Sequence, residues 1–287
     1  MALSTVEVKV KAPMITIIGS PGCGKTTLAA TFPKPIFIQA EEATTVFESF
    51  DEDVRPMVYP VLPRSRYRSP NGAMMQQVRS TKDTLLGQLR ELASETHDRE
   101  TVVIDSVTSL HAKLEHELCE VYGVDNVADA AGGFQKGYLV VAEYHNEVMN
   151  ACNVLRAKGM TVVFLAHTGI QKVKDSPELD EHSVYTIDMH KHSVPTYVNL
   201  VDMVVYLVNE SFVSGKETNK KNQVTKYGKL IQTGNRKIIT ASDGKVGYVA
   251  AKTRYPMDVE LPVELGRNPL LELIPFFNKQ DKTQEGK

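Results

Sequence analysis

Residues 14–27 read Met-Ile-Thr-Ile-Ile-Gly-Ser-Pro-Gly-Cys-Gly-Lys-Thr-Thr, and the fold class follows from this stretch. Met14 to Ile18 is a short apolar run, rich in β-branched residues and bounded by Pro13 and Gly19, the composition of a strand buried on both faces. Gly19-Ser20-Pro21-Gly22-Cys23-Gly24-Lys25-Thr26 then matches GxxxxGK[ST] without a gap. The glycines let the backbone curl so that successive N–H groups converge on phosphate oxygens. The helix that begins there, expected from about Lys25 to Thr31 and stopped by Pro33, turns its positive end on the same anion. In such a loop Lys25 supplies a point charge to the β- and γ-phosphates, and the Thr26 hydroxyl ligates Mg2+. The expected nucleotide-binding residues are Gly19, Ser20, Pro21, Gly22, Cys23, Gly24, Lys25, Thr26 and Thr27, with ATP and Mg2+ as the cofactors.

Working outward, the chain repeats strand, turn and helix, which points to an α/β fold with a mostly parallel sheet covered on both faces. Strands are expected at Ile36–Ile38, Thr101–Ile104, Thr161–Ala166 and Met203–Val208, then at Lys229–Gln232 and Lys245–Lys252 as C-terminal β-hairpins. Leucines 85, 89 and 92 mark a helix over Thr84–Ala93, and further helices are read at Val107–Val121 and Tyr138–Lys158, the last ended by Gly159. Asp51–Gly72, with four prolines, reads as an irregular connection, Gly123–Gly137 as a loop, and the polar stretch from Thr168 to about Pro195 as a mobile loop, with or without a short strand in it. The expected organisation is an N-terminal extension (1–11), one ATPase domain (12–277) and a flexible charged tail (278–287).

Composition narrows the class. The 287 residues carry 33 Lys+Arg against 35 Asp+Glu, so binding to polyanions must come from local basic segments. A hydrophobic content of 42% excludes disorder of the whole chain. No apolar run approaches the roughly 20 residues that span a bilayer, and the start, MALSTVEVKVKAP, lacks the apolar block of a signal peptide. Cys23, Cys119 and Cys152 form no CxxC pair, which argues for a reducing compartment; the expected location is the cytoplasm.

Two acidic strand ends complete the chemistry. Val102-Val103-Ile104-Asp105 is an apolar strand ending in a carboxylate, suited to holding Mg2+ through its water shell. Ile36-Phe37-Ile38 runs into Gln39-Ala40-Glu41-Glu42, and strand C-termini line the ligand crevice of a parallel sheet. Either glutamate there is in place to orient the attacking water.

These residues carry a resemblance to the RecA-like ATPases. VVIDSVTSL (102–110) resembles their magnesium-binding strand and the turn after it. FIQAE (37–41) resembles the strand that ends in their catalytic glutamate, with Gln39 replacing the usual Asp, and this alignment selects Glu41 over Glu42. TVVFLAH places His167 where the family has a polar γ-phosphate sensor, usually Gln. YVAAKTRYP puts Lys252 and Arg254 in a KxR pattern like the one with which hexameric relatives reach the neighbouring subunit's nucleotide. The order and spacing look most similar to phage ATPases of single-strand annealing and recombination. The resemblance implies a DNA-stimulated ATPase acting on single-stranded DNA, a homo-oligomer (ring or filament) with ATP sites shared between subunits, and a single-strand-binding protein as a further partner. The alternatives are a non-catalytic nucleotide switch or loader, and a hexameric helicase-type motor.

In that family, loops after the magnesium and sensor strands face DNA; the matching segments here are about Tyr122–Gln135 and Thr168–Pro195, the second holding Lys172, Lys174, Tyr185, His190, Lys191 and His192, with Tyr197 just beyond. The second also holds Asp175, Glu178, Asp180, Glu181 and Asp188, so its charge is not clearly positive and argues only weakly for phosphate contacts. Tyr185 and Tyr197 are candidates for stacking on bases. Two further basic segments, Arg64-Ser65-Arg66-Tyr67-Arg68 and Lys216–Lys229, suit a nucleic-acid backbone as well as they suit plain solvated surface. His190 and His192 beside Asp188 make a poor zinc site for want of a fourth ligand.

Overall fold

The computed structural model describes residues 10–65, 80–174, 178, 180–215, 217–218, 224–226, 229–241, 249–264 and 266–278. In chain order the elements are β1 (Met14–Gly19), α1 (Lys25–Ala29), β2 (Pro35–Gln39), β3 (Met57–Val58), α2 (Thr81–Ser94), β4 (Thr101–Asp105), α3 (Val107–Tyr122), α4 (Lys136–Ala157), β5 (Thr161–Val173) and β6 (His182–Ile187). There follow α5 (Val194–Val198), β7 (Met203–Ser214), β8 (Glu217–Thr218), β9 (Val224–Lys226), β10 (Lys229–Ile239), β11 (Lys252–Thr253), β12 (Glu260–Val263) and α6 (Pro269–Leu273).

The main sheet has the order β12-β10-β7-β1-β5-β4-β2-β3, with β11 paired to β7 and β6 to β5; β8 and β9 form a separate pair. From β7 to β3 every pairing is parallel, whereas β10 and β12 join antiparallel at one edge. β1 lies between β5 and β7 although β2 follows it in sequence, so the chain leaves β1, fills one side of it through β2, β4 and β5, and then returns to the other with β7. That reversal opens a crevice at the C-terminal end of β1, the place where open α/β sheets bind ligands. This is the RecA-like phosphate-loop core expected from the sequence.

Alternation along the strands splits the core in two. Met14, Ile18, Val102, Ile104, Val162 and Phe164 face α2, α3 and α4 on one side. Ile15, Ile17, Val103, Val163, Leu165 and Val205 face α1 and α6 on the other. All are essentially without solvent contact, and each such side chain contributes about 1.5–3 kcal/mol on burial. Two-sided burial explains why these strands read as continuous apolar runs rather than alternating ones. α3 starts at Ser106, whose side chain accepts from the Ser109 N–H, and closes on Gly123 in the left-handed conformation (φ 64°).

Some expectations need correction. The stretch from Thr168 is more ordered than a mobile loop: β5 continues to Val173 and pairs antiparallel with β6, from Thr168 opposite Ile187 to Val173 opposite His182. Past Ala166 the strand leaves the sandwich, so its side chains lose apolar periodicity while backbone pairing carries the strand on. Tyr197 is fully buried in α5, where it cannot stack on a base. The expected loop over Gly123–Gly137 holds a 3-10 turn at Val127–Gly132, and α4 begins at Lys136. Of the Lys245–Lys252 strand, only Lys252–Thr253 forms a strand among the described residues; 242–248 lie outside them, as do Arg66, Tyr67, Arg68 and most of Lys216–Lys229. Among the described residues, no helix is long and apolar enough to cross a membrane.

Candidate active site

The register aligns the strand ends. Gly19 of β1 lies opposite His167 of β5, Leu165 opposite Asp105 of β4, and Asp105 opposite Gln39 of β2. Four separate parts of the sequence therefore reach one edge of the sheet.

The phosphate loop turns through Gly22 (φ 75°) and Gly24 (φ 96°), a conformation that side chains with a Cβ rarely adopt. Gly19 is required for a second reason, since a Cβ there would lie 2.7 Å from the Leu207 carbonyl oxygen. Lys25 is buried, and its ammonium donates to the Gly19 carbonyl at 2.9 Å and to that of Ser20 at 3.1 Å. Phosphate oxygens held by the loop would compete for this same ammonium.

Thr26 Oγ1 donates to Asp105 Oδ2 at 2.7 Å. Asp105 is buried, and desolvation raises its pKa above the ordinary aspartate value despite the Thr26 hydrogen bond. A buried carboxylate kept charged only at a cost, beside a hydroxyl, is a hard oxygen donor set of the kind Mg2+ takes. The residues fit a magnesium-bound triphosphate.

Glu41 lies two residues past β2 and faces inward, while Glu42 is exposed. Gln39 presents it: its Nε2 donates to the Tyr59 carbonyl at 2.9 Å, and its Oε1 accepts from the Ala43 N–H at 3.2 Å, closing the turn around Glu41. Glu41 Oε1 accepts from His167 Nε2 at 3.2 Å and from Ser106 Oγ at 3.2 Å; Oε2 accepts from Ser109 Oγ at 2.9 Å. These donors, His167 foremost, lower its pKa to about 2. The other ring nitrogen of His167, Nδ1, stands 3.5 Å from Lys25 Nζ. An ammonium only donates, so the tautomer that serves both contacts carries its proton on Nε2. His167 thus bridges the phosphate-loop lysine and the glutamate.

Sequence reasoning missed three contributors. Ser106 and Ser109, quoted only as part of a motif, touch the glutamate directly. Arg236 of β10 packs its guanidinium on the phosphate loop, where a Cβ on Gly24 would lie 2.3 Å from Nη1. Ser106-x-x-Ser109 does carry a local signal, a helix N-cap pattern, whereas nothing around Arg236 does. Beside the loop, a cavity of about 440 Å³ lined by Thr27, Thr31, Asn235, Arg236 and Arg267 has room for a nucleoside.

Lys252 and Arg254 are not brought to this site. β11 pairs with Met203 and Val204, at the start of β7, the opposite end of the sheet. Lys252 Nζ donates to the Asn199 carbonyl at 3.0 Å, and Arg254 Nη1 to Asp202 Oδ1 at 3.1 Å. Met203 and Val204 lie opposite Ile15 and Thr16, so about 10–13 Å of β1, at 3.3 Å per residue, separates β11 from Gly19 at the start of the phosphate loop.

A family model described as AAA domain (AAA_24) matches residues 11–254. The SPbeta prophage-derived uncharacterized protein YorG of Bacillus subtilis (strain 168) is 23% identical over 170 residues, which are 59% of this chain and 45% of that protein, so the match takes in less than half of the relative's length. A solved KaiC-like protein from the archaeon Pyrococcus horikoshii OT3 is 14% identical, with a TM-score of 0.40 over 88% of this chain and 86% of its own.

Proposed function

The chain belongs to the AAA_24 family of AAA domains, a phosphate-loop ATPase family, and from that premise we propose that it is an Mg2+-dependent ATPase that acts on single-stranded DNA in phage recombination or annealing. The observation that carries the catalytic part is the convergence of Lys25, Thr26, Asp105, Glu41 and His167 at one end of β1.

In this reading the loop amides and Lys25 hold the phosphates, while Thr26 and Asp105 hold the metal. Held there, Mg2+ would supply positive charge against that of the phosphates. Glu41 orients the attacking water and draws its proton, and His167, within reach of both Lys25 and Glu41, senses the terminal phosphate.

The DNA part is supported by the β5–β6 hairpin, which continues directly from His167. It exposes Ile170 and carries Lys172 and Lys174, while Tyr185 stacks on Tyr206 with centroids 5.8 Å apart. Apolar and aromatic surface beside cations suits splayed bases and their phosphates. Phage origin is supported by the prophage relative. For Lys252 and Arg254, which bond Asn199 and Asp202 away from their own phosphate loop, a catalytic role would require a homo-oligomer in which they meet the site of another copy.

ATP turnover measured with and without single-stranded DNA tests the proposal. Lys25→Ala and Glu41→Gln should each lower turnover about 10²-fold or more, and single-stranded DNA should raise it in the unaltered protein. Undiminished turnover in both variants rejects the assignment.

One observation favours the switch reading: a carboxylate with its pKa near 2 is a weak base. Tight binding of a fluorescent ATP analogue with no turnover, DNA present or absent, would select that reading.

A further inference from the structure

The seat of Glu41 assigns a role to the first turn of α3. Ser106 is the N-cap of this helix and Ser109 its N3 residue. In the usual capping box the N3 side chain reaches back to the N-cap N–H. Here the Ser109 hydroxyl lies within reach of two acceptors, Glu41 Oε2 at 2.9 Å and Ser106 Oγ at 3.1 Å, and its single proton goes to the nearer, charged one across the gap from β2. Ser106 Oγ is already engaged as acceptor of the Ser109 N–H at 3.2 Å, and its own proton has two destinations, Glu41 Oε1 at 3.2 Å and Ser109 Oγ at 3.1 Å.

The two carboxylate oxygens are therefore held unequally. Oε2 is fixed by one short bond on the helix side. Oε1 is shared by Ser106 and by His167, whose far nitrogen faces the phosphate-loop lysine. The carboxylate also sits off the N-terminus of a 16-residue helix, where the peptide dipoles favour negative charge.

We infer that Ser109 is a positioning residue: it pins the far oxygen of Glu41 to the N-terminal turn of α3, so that the near oxygen stays turned toward the phosphate loop. This rests on the reading of Glu41 as the water-orienting group. Ser109 touches neither nucleotide nor metal in this role and acts through Glu41 alone. Without its hydroxyl, the carboxylate keeps only the longer Oε1 contacts to Ser106 and His167 and can pivot on that oxygen, and displacements of the order of 1 Å cost about a hundredfold in rate.

The test compares Ser109→Ala and Ser109→Thr with the unaltered protein. Ser109→Ala should lower kcat about ten- to a hundredfold, leaving KM and the affinity for a fluorescent ATP analogue unchanged, and Ser109→Thr, which keeps the hydroxyl, should restore most of the loss. Independently of turnover, the 13C signal of the Glu41 carboxylate, assigned by its absence in Glu41→Gln, should move in Ser109→Ala and return in Ser109→Thr. An unchanged kcat, a parallel loss of analogue affinity, or a carboxylate signal indifferent to the alanine overturns the inference. If Glu41→Gln itself turns over ATP normally, the underlying reading of Glu41 fails instead. A thermal melt of Ser109→Ala identifies misfolding, in which case the threonine variant's kcat and carboxylate signal decide.

Discussion

Two buried aspartates mark opposite ends of the same sheet, and they are treated in opposite ways. At the C-terminal edge, Asp105 accepts from one side-chain donor among the described residues, the Thr26 hydroxyl, and burial drives its pKa up. At the N-terminal edge, Asp202 accepts from the Met14 N–H at 3.0 Å, from Arg156 at 2.6 Å and from Arg254 at 3.1 Å. Both are about equally shielded from water, with 3% and 4% of their surface exposed. The difference lies in compensation. Asp202 is a satisfied buried charge that ties β1, α4 and the start of β7 together, so it is part of the scaffold. Asp105 is left short of positive charge, so it is part of a site.

Replacing Asp105 should give the largest effect and the clearest separation of function from stability. Asp105→Asn keeps the acceptor for Thr26 and removes the charge, so Mg2+-dependent turnover should fall by about 10² to 10³. Stability should not fall with it. Because the folded pKa of Asp105 is raised above the unfolded value of 3.8, its ionised form costs stability at neutral pH, and that cost disappears as pH drops below 3.8. Without nucleotide or metal, Asp105→Asn should melt at or above the temperature of the parent at pH 7, with the gap closing on acidification. A variant that melts well below the parent would mean that Asp105 is structural, like Asp202, and the contrast would break.

Asp202→Ala is the complementary change. It strands Arg156, whose side chain is only 19% exposed, and leaves the Met14 N–H without its acceptor. Removing one partner of a buried ion pair typically costs 3–5 kcal/mol, and the lower end, about 3 kcal/mol, is expected because Arg254 can return to water. Denaturant unfolding should report that loss, while ATP analogue affinity in the folded protein stays close to normal. A loss of affinity with stability intact would reverse the assignment of the two ends.

What the sequence discloses follows the same division. The phosphate loop and Asp105 are legible because each is a short contiguous pattern whose chemistry is local: a glycine turn between strand and helix, a carboxylate at the end of an apolar strand. Glu41 is legible one step further, through the rule that parallel strands end at the crevice. Ser109 and Arg236 are not, because their partners come from distant parts of the chain and no periodicity records the contact. The β5–β6 hairpin is hidden for a different reason. Beyond Ala166 the strand has no buried face to impose alternation, and it persists through backbone pairing to β6, which side-chain patterning does not reveal. Tyr197, one of the two base-stacking candidates, sits in the sequence just past the polar stretch. It is instead buried under α4, where its hydroxyl meets His145 Nδ1 at 2.8 Å.

The smallest stability effect, and the sharpest question about assembly, belongs to Arg254. Its side chain is 61% exposed and bonds an aspartate already held by Arg156 and the Met14 amide, so Arg254→Ala should cost no more than about 1 kcal/mol. Its guanidinium is held on Asp202, away from the phosphate loop of its own chain, so a loss of turnover with stability intact would point to a neighbouring copy. Arg254→Ala subunits retain Lys25, and Lys25→Ala subunits retain Arg254. Mixed oligomers should therefore regain part of the turnover that each variant lacks alone, because some interfaces combine an intact loop with an intact arginine. Complementation would make Arg254 a scaffold contact in cis and a catalytic finger in trans, worth as much as 10³ in rate when it meets a developing phosphoryl charge. Mixed oligomers with no recovery would leave Arg254 wholly on the structural side, a second cation for Asp202.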